Sequence, residues 1–152
     1  MTAVNSRQLL TCLQLDLIDC DDVIAWADRR IGDTDNPPYW LIDLATSTQA
    51  RRIELESILR AQTNEPELRD EEFLGAMAVR LLDLTHALKH ILPLMYERFC
   101  LSNRTDTRGE TGMIYLIDDE FDWDPKQGVA TAKNFLQPYL DIGRDLIQQT
   151  KS

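Results

Sequence analysis

Apolar positions recur along most of this chain in steps of three and four, the spacing that gathers side chains on one face of an α-helix. From Ser6 to about Asp19, Leu9, Leu10, Leu13 and Leu17 keep this rhythm, and Asn5 or Ser6 is placed to cap the start. Asp21 and Asp22 open a second helix through Val23, Ile24, Ala27 and Ile31. Arg29 and Arg30 complement the negative end of its dipole, and Gly32 stops it. Asn36, Pro37 and Pro38 then punctuate the chain ahead of a short helix through Tyr39, Trp40, Leu41, Ile42, Leu44 and Ala45. Ser47 or Thr48 is placed to cap the next helix, whose Ile53, Leu55, Ile58 and Leu59 form a modest apolar side and which should end before Asn64 and Pro66.

The longest pattern runs from about Asp70 to Ser102. Phe73, Met77, Leu81, Leu84, Leu88, Ile91, Met95 and Phe99 share one stripe, which predicts a central helix over 70–102. Pro93 lacks an amide donor and should kink or divide it near Ile91. Residues 103–112, with Asn103, Thr105, Asp106, Thr107, Gly109 and Gly112, read as a loop. Met113 to Ile117 is the one segment with strand character, and no second segment offers to pair with it. Beyond Pro125 helical spacing returns through Ala132, Phe135, Leu136, Tyr139, Leu140, Leu146 and Ile147, with a kink expected at Pro138. The fold expected is therefore all-α: one domain over 1–152, an irregular bundle of five to seven helices around the 70–102 element, with at most a minor extended segment at 113–117.

Length and composition suit this reading, since 152 residues with 43% hydrophobic and 28% charged side chains are enough for one packed core. No apolar run reaches the ~18–20 residues of a membrane span, and the N-terminal segment lacks the layout of a signal peptide. Cys12, Cys20 and Cys100 form an odd set without a CxxC pair, which points to reduced thiols and a cytoplasmic protein. A formal charge of −10 repels phosphate backbones and anionic lipid, so nucleic acid and membrane are excluded as partners and a basic protein is favoured.

Two constellations carry candidate chemistry. Asp83, His86 and His90 fall on one side of the central helix at spacings that let two histidines share a metal. They lie opposite the Phe73 to Phe99 stripe with Glu72 and Glu97, no HExxH pattern is present, and an ordinary solvated charged face, with the histidines near Asp83 and Glu97, is the favoured account of them. The second is the run Asp118, Asp119, Glu120, Phe121, Asp122, Trp123 and Asp124. Glu110 to Asp124 holds six acids and no Lys or Arg, a local charge of −6. This register does not match a calcium loop. Asp124, Pro125 and Lys126 have the carboxylate-x-lysine spacing of metal-dependent nucleases, but proline occupies the middle and no supporting strand is expected. Aromatic anchors beside charge are typical of protein interfaces. The alternative is that Phe121 and Trp123 enter the core while the acids solvate a turn. Trp26, Tyr39 and Trp40 read as a core cluster.

Neither a nucleophile motif nor a phosphate-binding glycine loop is present. The sequence thus points away from enzymatic function, with no cofactor, and toward binding of a basic protein partner through residues 118–124. In size and charge the chain resembles the small acidic immunity proteins that neutralise basic toxins, a likeness of charge and length with no motif behind it. A resemblance of that kind implies an acidic inhibitor or adaptor. A metal-binding helical bundle using His86 and His90, and a structural homodimer, are the other readings.

Overall fold

A computed structural model describes residues 4–47, 52–83, 87–101 and 109–151 of the chain. These form α1 (Ser6–Gln14), α2 (Cys20–Gly32), α3 (Tyr39–Ala45), α4 (Arg52–Arg60), α5 (Asp70–Asp83), α6 (Leu88–Phe99), α7 (Glu110–Trp123), α8 (Pro125–Leu136) and, after a 3-10 turn at Gln137–Tyr139, α9 (Leu140–Thr150). The fold is all-α, with no strand among the described residues. No helix among them is long and apolar enough to cross a membrane.

Local chemistry sets most helix ends. Asn5 caps α1, accepting from the amides of Arg7 and Gln8 while the Gln8 side chain returns to the Asn5 amide. Asp19 and Asp22 form the same reciprocal box on α2, and Arg29 and Arg30 occupy its last turn. At the end of α1, Arg52 of α4 donates to the carbonyls of Leu13 (2.6 Å) and Gln14 (3.1 Å). A cation there satisfies orphan carbonyls and opposes the dipole. Pro38, in extended conformation, precedes α3. The Thr48 alternative for capping α4 lies outside the described residues, and α4 begins at Arg52, beyond Ser47.

In the N-terminal half α2 pairs with α3 and α1 with α4. Trp26 and Trp40 stack between them, with the Arg30 guanidinium 4.9 Å from the Trp26 ring, and the Trp26 indole donates to the Val4 carbonyl at 3.1 Å. Tyr39, expected in the same core cluster, is instead turned to solvent, 82% exposed. Glu65 ties this cluster to α1, accepting from both the amide and the hydroxyl of buried Ser6 and pairing with Arg30. In the C-terminal half α5 lies along α9, and α7 folds back on α8. Arg29 of α2 bridges the halves by donating to the Thr150 carbonyl at 2.8 Å.

Phe73, Met77, Leu81, Leu88, Ile91, Met95 and Phe99 are all buried, as the stripe requires, and Leu84 lies outside the described residues. The single helix expected over 70–102 is instead two, because α5 ends at Asp83 and α6 starts at Leu88. Periodicity reads which face is apolar, and that face stays in phase across the division, so the pattern carries no mark of it. Pro93 sits inside α6 without ending it. Both Pro93 and Lys89, whose carbonyl cannot receive a bond from Pro93, are on the exposed side of α6, where the helix continues without an apolar cost at that carbonyl.

Met113 to Ile117 is helical, which corrects the extended segment expected there. A short apolar run does not distinguish strand from buried helix by pattern alone. What decides it is α7 as a whole: Glu110, Ile114, Ile117 and Phe121 recur at helical steps on the side facing α6 and α8, and the first three are buried. Of the loop expected over 103–112, residues 103–108 lie outside the described residues, and the helix has already started at Glu110.

Candidate functional site

The acidic run occupies the second half of α7 and the turn into α8. Gly109, with φ of 76°, precedes the helix in the left-handed region that glycine adopts without strain. One residue, Asp124, separates α7 from α8; its carboxylate accepts from the Gln127 amide at 3.4 Å and Pro125 takes the first helical position. The hairpin is close-packed, because a Cβ on Gly128 would lie 2.7 Å from the backbone of Phe121. Glu120 accepts a hydrogen bond from the Thr131 hydroxyl across the two helices.

This geometry divides the seven residues singled out in the sequence. Phe121 is half-buried and packs on the core, while Glu120 and Asp124 hold the hairpin together. Asp118, Asp119, Asp122 and Trp123 face solvent, and Trp123 is 92% exposed. The two aromatics therefore part company, one turned inward and one outward. Two residues missed by the sequence reading join the outer group: Tyr115 and Leu116 are 46% and 44% exposed. Leu116 and Trp123, seven residues apart, lie on the same side of a helix, a relation hidden when 113–117 is read as extended. The Tyr115 ring meets Tyr96 of α6 edge-on at 5.7 Å, and hydrogen bonding with Tyr96 pushes the Tyr115 hydroxyl above its ordinary titration range.

Electrostatically the outer face of α7 is uniform, because the helix contains no Lys or Arg. A solvated helix face normally carries mixed polar side chains, so a leucine, a tyrosine and a nearly bare tryptophan among carboxylates stand out.

Elsewhere the candidate chemistry does not assemble. Asp83 and His90 are exposed, and His86 lies outside the described residues. Among the described residues no group of three or more His, Cys, Asp or Glu is placed to hold a metal. Asp124 and Lys126 sit at the start of a helix, away from the strand that a nuclease arrangement uses. A cleft of about 390 Å³ between α1, α2 and α4 gathers Asp16, Asp19, Asp22, Cys20, Arg52 and Lys151. Its Asp19 and Asp22 are used in capping and its Asp16 pairs with Arg52. Burial first, and then neighbouring carboxylates against the opposing pull of Arg52, raise the Cys20 thiol, which makes it a weak nucleophile. A wider groove of about 510 Å³ between α1, α4, α5 and α6 is floored by Leu59, Leu68 and Phe73 and rimmed by Arg7 and Arg98. Both arginines are tied down, to Glu67 and to Asp70 and the Leu68 carbonyl.

Comparison with protein families, with curated proteins and with solved structures yields no match for this chain.

Proposed function

We propose that this chain is a non-enzymatic protein-binding domain, an acidic inhibitor of the immunity type or an adaptor, that holds a basic protein on the outer face of α7. The observation that carries this reading is Trp123: 92% exposed, at the tip of a close-packed hairpin, beside Asp119 and Asp122. Burying a tryptophan removes at least ~150 Å² from water, about 4 kcal/mol of gross driving force. Its position on a close-packed hairpin keeps the backbone ordering cost of docking low. Around it, carboxylates without a compensating cation on α7 favour lysines and arginines on the partner and speed their approach.

The test is affinity capture from the source organism with mass-spectrometric identification, run in parallel with wild type, Trp123→Ala, and a variant with Asp118, Asp119 and Asp122 changed to Asn. A basic protein held by wild type and lost by Trp123→Ala supports the proposal. With that protein purified, the Asn variant should associate more slowly and with a flatter dependence on ionic strength. Identical capture by all three proteins, or equal rates and salt slopes, removes α7 from the binding site.

A further inference from the structure

Gly112, Leu116, Asp119 and Trp123 follow one another on the solvent side of α7 at steps of four, three and four residues, and all are exposed. That spacing forms a seam of the kind a second helix meets with knobs in holes. A Cβ at Gly112 would meet nothing within 4 Å, so the seam is open at that end. Leu116 and Trp123 are two turns apart, ~10 Å along the axis. Helix residues seven positions apart match that separation, whereas same-side residues of a strand recur every ~6.6 Å and fall out of step with it. Between the two apolar residues stands Asp119, flanked by Asp122. Covering Asp119 removes a carboxylate from water at a cost of several kcal/mol unless a cation faces it.

From this juxtaposition we infer that the partner element is an amphipathic basic helix lying along α7, with Lys or Arg opposite Asp119 between two apolar residues seven positions apart. The inference rests on the α7 face being the binding site and adds the form and register of what it binds. Asp119 then acts as the charged seam position that fixes register, a role in which one polar group selects a single alignment at some expense of affinity. Apolar contacts at Leu116 and Trp123 supply the attraction, and the Asp119 pairing supplies the selectivity.

The test uses fluorescein-labelled, alanine-based helical peptides of about twenty residues. Each carries two leucines seven positions apart and lysines on the flanks, with Arg, Ala or Glu at the seam position between the leucines. A peptide alternating Val and Arg serves as the strand-forming control. Binding to the full chain is read by fluorescence anisotropy at low salt. The Arg peptide should bind about tenfold more tightly than the Ala peptide, and the Glu peptide more weakly than either. In Asp119→Asn the preference for Arg should shrink to about twofold, and Trp123→Ala should weaken every helical peptide. Circular dichroism establishes that both variants are folded. A preference for Arg that survives Asp119→Asn overturns the inference, as does a strand-forming peptide that binds as tightly as the helical one. Failure of every peptide, with affinity capture still lost in Trp123→Ala, overturns the helical partner and leaves the binding face standing. Insensitivity of both assays to Trp123→Ala overturns the two together.

Discussion

Gly75 of α5 and Gly143 of α9 face one another so closely that a Cβ on Gly75 would lie 2.5 Å from the Gly143 amide nitrogen and 2.7 Å from the Tyr139 carbonyl oxygen. A Cβ on Gly143 would overlap the Gly75 carbonyl in turn. Backbone meets backbone here, so no flexible side chain can move aside. This close approach lies within the packing of α5 on α9 and limits how near the two helices can come.

Gly75→Ala and Gly143→Ala should therefore each destabilise the fold by about 1–3 kcal/mol, despite the better helix propensity of alanine. Gly112→Ala, on an open face of α7, should instead stabilise by ~0.5–1 kcal/mol. Urea unfolding midpoints of the three variants check both signs. Equal midpoints for Gly75→Ala and wild type would show that the helices do not cross at these glycines.

A second expectation concerns acid stability. Partial burial raises the Glu65 carboxyl, but the hydrogen bonds from the Ser6 hydroxyl and amide and the nearby Arg30 charge outweigh it, leaving its pKa below the ordinary 4.5. A carboxyl depressed in the folded state contributes stability that is fully present above its unfolded pKa and is lost as pH falls through the folded value. Wild type should thus lose this contribution below about pH 4.5, while Glu65→Gln should be less stable at pH 7 and show a flatter decline in acid. Urea midpoints measured between pH 7 and pH 3 test the difference.

Thiol reactivity offers a third check. Burial, with a smaller contribution from the Glu72 charge, pushes the Cys12 thiol up to about 12, and its side chain is fully enclosed. Cys20 and Cys100 are only partly covered. With a disulfide reagent at pH 8 the native protein should titrate slowly for two thiols, and the third should appear only in denaturant. Rapid native reaction of Cys12, identified by peptide mapping, would contradict the packing of α1.

Trp123 can be read directly by fluorescence. Trp26 is buried and Trp40 half-buried, so most quenching by small solutes should come from Trp123. Because Asp119, Asp122 and Asp124 stand near it on the helix and the turn, the ratio of caesium to iodide quenching should exceed that of free tryptophan amide, with this caesium advantage shrinking as salt rises. Trp123→Phe should abolish the caesium advantage and change stability by no more than ~0.5 kcal/mol. A large loss of stability in that variant would place the ring in the core.

What could be read from the sequence alone were properties of single helices. Asn5 and the Asp19 to Asp22 start of α2 act within one turn of the residues they serve, so local pattern reveals them, whereas Arg29 and Arg30, placed by the same pattern in the last turn of α2, reach Thr150 and Glu65 far along the chain. The buried stripe from Phe73 to Phe99 was equally legible, because helical phase alone selects it. Tertiary packing decided the rest. Division of that stripe between α5 and α6 leaves the phase of its apolar face unchanged. The helical state of 113–117 shows only over the length of α7, where Ile114 and Ile117 are buried in step with Glu110 and Phe121; the five residues by themselves do not encode it. Phe121 and Trp123 are two residues apart, about 200° around a helix, so once α7 forms one must turn inward as the other turns out. Which of them turns inward is set by the backbone contact of Phe121 with Gly128 on α8, and the close approach of Gly75 to Gly143 is likewise a relation between helices that no single stretch of chain contains.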